Sequence, residues 1–125
     1  MAKKWALTFG IIFVVVGILG LLGGFGIVGQ DGVFATDMMH DWVHIITGVI
    51  FLLVAFFAPM RASMWMIIFG IIYLLVAILG FIGNNPVLGL ISVNGADNFL
   101  HLILGLVILG AGLKSKGGSM MGGSM

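Results

Sequence analysis

The sequence predicts an all-α integral membrane protein, a four-helix bundle made by tandem duplication of one helical hairpin. Three observations carry that expectation. The first is composition: with 125 residues, 62% hydrophobic and 7% charged, and a mean hydropathy of +1.32, a small fold cannot hide its apolar side chains from water. The second is span length. Crossing ~30 Å of hydrocarbon takes about 20 residues of helix, and apolar stretches of that order lie near 5–27, 40–58, 64–83 and 98–113. The third is self-similarity. Trp5, Phe9-Gly10-Ile11-Ile12, Val16, Ile18-Leu19-Gly20 and Gly23 return sixty positions later as Trp65, Phe69-Gly70-Ile71-Ile72, Val76, Ile78-Leu79-Gly80 and Gly83. At a shift of fifty-seven, His44, Gly48 and Ala55 return as His101, Gly105 and Gly112.

Each span is expected to be helical because backbone polar groups in lipid must be satisfied internally. A β-barrel is excluded, since runs such as 11–16 and 51–57 do not alternate apolar with polar residues. Met-Ala-Lys-Lys before span one resembles the start of a secretory leader. No small-residue cleavage site follows the apolar run, however, and its copy at 65–83 lies mid-chain, so a retained span is expected. Gly10, Gly17, Gly20 and Gly24 form one stripe of span one, repeated in span three as Gly70, Ala77, Gly80 and Asn84. Spans two and four carry Asp41, His44, Gly48, Ala55 and Asn98, His101, Gly105, Gly112. Such small-residue faces suit close packing within the bundle or between copies in a homo-oligomer.

Between spans one and two runs a glycine-rich link near 28–37, and between spans three and four a turn-rich link over 84–97. Their Val33, Phe34, Val87, Leu88, Leu90 and Ile91 are too apolar for solvated loops, so both links should lie on the bundle end or in the headgroup layer. Ala58-Pro59-Met60-Arg61-Ala62-Ser63 leaves only a tight turn, which predicts spans two and three as antiparallel neighbours. One membrane domain is expected over 1–113, with repeats at 5–58 and 64–113. Residues 114–125, rich in glycine, serine and methionine, read as a flexible tail without a site.

The five basic residues, Lys3, Lys4, Arg61, Lys114 and Lys116, fall at the amino terminus, in the turn between spans two and three, and in the tail. Asp31, Asp37, Asp41 and Asp97 lie in or beside the other two links. The positive-inside bias then places both termini in the cytoplasm, with the chain multi-pass in the cytoplasmic (inner) membrane. Two crossings per repeat make the repeats parallel, related by a pseudo-twofold axis along the membrane normal, which disfavours an inverted-repeat transporter.

His44 and His101 stand near the outer ends of their spans, and Asp41 and Asn98 precede each by three residues on the same face. Intramembrane ionisable groups are candidate functional residues. The preferred reading is structural: Asp41 and Asn98 start helices by accepting first-turn amides, and each imidazole bonds the opposite repeat or an outer link. In the alternative, His44 and His101 hold a haem b or chlorophyll-type pigment, with glycine four residues on making room for the macrocycle. Against that, the same glycines suit close helix contact and no polar residue is placed for propionates. A third reading, transport of a small solute or ion, lacks polar groups through the membrane depth. His40, with His44, Asp37 and Asp41, has nitrogen and oxygen donors at helical spacing that suit a divalent metal, but a solvated helix start is preferred for it and no metal site is assigned.

Zero cysteines exclude thiolate chemistry and disulfides, and neither a phosphate-cradling loop nor a basic patch for nucleic acid is present. The segment Asn94, Asp97-Asn98-Phe99-Leu100-His101-Leu102 and Gly105, followed by a leucine-rich run, resembles the last span of an uncharacterised bacterial four-span membrane family, domain of unknown function 4383. That resemblance implies four helices and a small prokaryotic membrane protein, with no activity attached. The expectation is a non-catalytic structural or accessory subunit without a cofactor, whose partners are membrane lipids, further copies of itself, or a larger membrane complex.

Overall fold

The computed structural model describes residues 1–122 except Gln30; the side chains of residues 117–122 lie outside that description. Four helices dominate it: α1 (Ala2–Leu21), α2 (Met38–Phe57), α3 (Ala62–Phe81) and α4 (Gly95–Gly122). Each is long and apolar enough to cross a membrane. The chain is therefore an all-α, four-span helical bundle. Among the described residues the link between α1 and α2 also holds a two-residue parallel ladder, β1 (Val28–Gly29) with β2 (Phe34–Ala35), and 3-10 turns lie at Gly24–Gly26 and Pro59–Arg61.

Two boundaries differ from the sequence expectation. Helix α1 stops at Leu21 rather than near residue 27, because Gly23 takes φ +93° and its amide donates back to the Gly20 carbonyl at 3.2 Å. The equivalent Gly83, at φ +90°, closes α3 with the same 3.2 Å bond to Gly80. Gly24 consequently lies in the 3-10 turn at φ +65° and is not part of the helix-packing stripe. At the other end of the chain, α4 runs past Leu113 to Gly122, into the stretch read from composition as a flexible tail. Close packing continues there: Ser115, one turn beyond Ala111 and Gly112, is fully buried. Residues 123–125 of the expected tail lie outside the described residues.

The small residues pack within each hairpin rather than on a common bundle axis. A Cβ added at Gly10 would meet Leu52 at 2.8 Å, one at Gly17 the Asp41 carbonyl at 2.7 Å, and one at Gly48 the Gly10 carbonyl at 2.7 Å. Contacts in α2 move backwards as α1 advances, so the two helices are antiparallel. Gly70 against Leu109, Gly105 against Leu74 and Gly112 against Ile67 repeat this between α3 and α4. Aromatic rings fill the space between hairpins: Phe13 lies 5.1 Å from Tyr73, and Phe51 lies 5.2 Å from Phe69. Helices α2 and α3, joined by the short turn, touch each other far less intimately than each touches its own hairpin partner. Outward, residues such as Ile11, Val15, Ile18, Ile46, Leu53, Ile71, Leu75, Ile103 and Leu106 form an exposed apolar surface suited to acyl chains.

Candidate functional site

The end of the bundle at which α2 and α4 begin gathers the three histidines with Asp37, Asp41, Asp97 and Asn98, and the helix starts determine how they point. Helix α2 is capped by Asp37, whose Oδ1 accepts from the His40 amide at 2.8 Å. Helix α4 is capped by Asn94 in a reciprocal capping box: the Asp97 amide donates to Asn94 Oδ1 and the Asn94 amide donates to Asp97 Oδ2, each at 2.9 Å. The caps are thus one turn earlier than Asp41 and Asn98, to which the sequence reading gave that role. Asp37 and Asn94 are themselves a pair at the shift of fifty-seven, a signal present in the sequence.

Asp41 and Asn98 instead sit inside their helices, buried, with side-chain oxygens pressed against Gly20 and Gly80 respectively. The absence of a Cβ at those two glycines is what admits them. Asp41 Oδ1 and Asn98 Oδ1 have no hydrogen-bond partner among the described residues.

One turn deeper, His44 and His101 face the bundle interior at 5% and 2% exposure. Phe13 lies 5.7 Å from His44, and Tyr73, its counterpart in the second repeat, lies 5.7 Å from His101. Neither imidazole Nδ1 finds a partner among the described residues. The ring that bonds the opposite repeat is His40, expected on the solvated start of α2 but only 1% exposed. Its Nδ1 lies 2.8 Å from the Ser92 carbonyl, and its Nε2 lies 3.4 Å from His101 Nε2. A carbonyl only accepts, so Nδ1 of His40 carries the proton and Nε2 presents a bare lone pair. Helical spacing holds the signal for this placement: residues four apart share a face, so a buried His44 implies a buried His40.

The three imidazoles form one cluster, with one ring nitrogen from each lying within 4.8 Å of the others. It borders a cavity of about 180 Å³ that also meets Thr47, Tyr73 and, from the second outer link, Leu88 and Ile91. The Thr47 hydroxyl donates to the Val43 carbonyl at 2.8 Å and accepts from the Tyr73 hydroxyl at 3.1 Å. This space does not fit a tetrapyrrole between His44 and His101. It is smaller than the roughly 300 Å³ at which small-molecule sites begin, and the His44 and His101 ring centroids lie 6.0 Å apart with His40 packed against both, at 4.5 and 5.2 Å.

A family model described as a domain of unknown function (DUF4383) matches residues 3–114. The chain belongs to that family. The match covers all four spans of this DUF4383 protein and with them every residue of the histidine cluster. No curated protein and no solved structure matches the chain.

Proposed function

We propose that this DUF4383 protein is a non-catalytic structural or accessory subunit of a membrane assembly, seated in the cytoplasmic membrane with both termini in the cytoplasm. One observation supports the reading above others. Small and polar side chains are spent on contacts within and between the two hairpins, while large apolar ones cover the outside, so the surface on offer is suited to lipid or to another helix. Basic residues cluster at one end of the spans and acidic residues at the other, which supports the orientation.

Mild-detergent extraction after in-membrane crosslinking tests the role. The 13.2 kDa chain is expected to be recovered in a discrete larger species containing copies of itself or a second membrane protein. Recovery as a free monomer, or substrate-dependent flux in liposomes above protein-free vesicles, overturns the reading. The chain lacks cysteine, so single introduced thiols test orientation against a silent background. Leu90→Cys is expected to react with a membrane-impermeant maleimide in intact cells, and Lys116→Cys only after permeabilisation.

A further inference from the structure

We infer that His40, His44 and His101 form a binding site for one divalent transition-metal ion of the zinc or copper class. Neutral imidazole is the ligand such ions favour, and this chain turns three of them into one buried cluster at the outer end of the bundle.

Geometry is the first support. Metal–nitrogen bonds of about 2.0–2.1 Å in a tetrahedral site set neighbouring ligand nitrogens about 3.4 Å apart. His40 Nε2 and His101 Nε2 already stand at 3.4 Å. The His44 nitrogen, within 4.8 Å of its partners, closes the triangle by a side-chain adjustment of about an ångström. Three ligands leave a fourth position, and the adjoining cavity of about 180 Å³, with the Thr47 and Tyr73 hydroxyls on its wall, has room for a water there.

Hydrogen bonding is the second. The Ser92 carbonyl fixes His40 with its proton on Nδ1 and its lone pair aimed at the cluster, which is the outer-shell arrangement that orients metal-bound histidines. Without an ion, a single proton shared between His40 and His101 satisfies that pair, while buried nitrogens of His44 and His101 are left without a partner.

Broken symmetry is the third. In the second repeat the position matching His40 is Asp97, which completes the reciprocal cap with Asn94. The first repeat forgoes that cap partner and sends an imidazole across to the other hairpin instead. A cluster serving helix capping alone would keep the aspartate in both copies.

The test uses the full-length protein in mild detergent, stripped with chelator and then given Zn²⁺, Cu²⁺ or Co²⁺ separately. About one ion per chain is expected to survive desalting, with Co²⁺ giving the intense visible bands of four-coordination. His40→Ala, His44→Ala and His101→Ala are each expected to weaken binding at least tenfold, the lower end of the range for outer-shell partners, with helical circular dichroism unchanged. Asp37→Ala, which alters the cap and leaves the imidazoles in place, is expected to retain the ion. X-ray absorption of the zinc-loaded unmutated protein needs no variant to fold and is expected to show three imidazole nitrogens at about 2.0–2.1 Å. Failure to retain any of the three ions, equal retention by the histidine variants, or fewer than three imidazoles around bound zinc overturns the assignment.

Discussion

Glycines stand in three different settings in this chain, and alanine substitution distinguishes them. At Gly80 an added Cβ would overlap the Asn98 carboxamide, so Gly80→Ala is expected to destabilise the protein by about 1–3 kcal/mol, the range for overpacking. The double variant Gly80→Ala, Asn98→Ala should recover much of the loss, because the pair shares one contact. Mixed-micelle denaturation reads both, and an additive double variant contradicts the contact. At Gly23 nothing stands within 4 Å of an added Cβ and the burden is φ +93° alone, an expected loss of about 1–2 kcal/mol. Gly110 has neither constraint, and Gly110→Ala should be neutral or stabilise α4 by up to about 1 kcal/mol. Some of this is legible in the sequence: Gly23 and Gly83 recur sixty positions apart, yet a stripe of glycines identifies a small face without naming the helix that will lie on it. That is why the stripes read only as faces for close packing, within the bundle or between copies, when they line each hairpin's own seam.

Several seam contacts recur in both hairpins, Gly10 on Leu52 with Gly70 on Leu109 and Gly20 on Asp41 with Gly80 on Asn98, and the exchanges between them are informative. Phe13 in α1 becomes Tyr73 in α3, and Thr47 in α2 stands where α4 has Leu104. The two exchanges are complementary, since the buried Tyr73 hydroxyl needs an acceptor and Thr47 supplies it at 3.1 Å. Thr47→Leu is therefore expected to lose about 1–3 kcal/mol by stranding that hydroxyl. Adding Tyr73→Phe should restore most of it, and a double variant no better than the single one would show that the bond carries no weight. At the helix starts, Asn94→Ala removes the α4 cap and also the bond from Asn94 Nδ2 to the Val33 carbonyl at 2.9 Å. About 1 kcal/mol is expected from the cap, visible as faster hydrogen exchange in residues 95–98. The caps escaped the sequence reading because Asp37 and Asn94 precede the apolar runs, whereas Asp41 and Asn98 sit on the same face as the histidines and draw attention to themselves.

At the scale of the molecule, span number, helical class and the burial of His44 and His101 follow from composition and periodicity, which act through the bilayer and need no tertiary detail. The histidine cluster was half legible: His40 lies four residues before His44 and must share its face, but its partnership with Ser92 depends on how the second outer link folds over the bundle end. That link is held by side-chain bonds, with the Asn85 amide donating to the Val93 carbonyl at 2.8 Å and its oxygen accepting from the Val93 amide at 3.1 Å. No hydropathy pattern encodes such a clamp. The ties between hairpins have a mechanical consequence. Asn94 grips Val33 and His40 grips Ser92 at one mouth, while the only covalent joint between the hairpins is the Pro59–Arg61 turn at the opposite mouth. Tied at both extremities, and by the Thr47–Tyr73 bond between them, the hairpins cannot slide lengthwise past each other without breaking a tie at one mouth or straining the joint at the other.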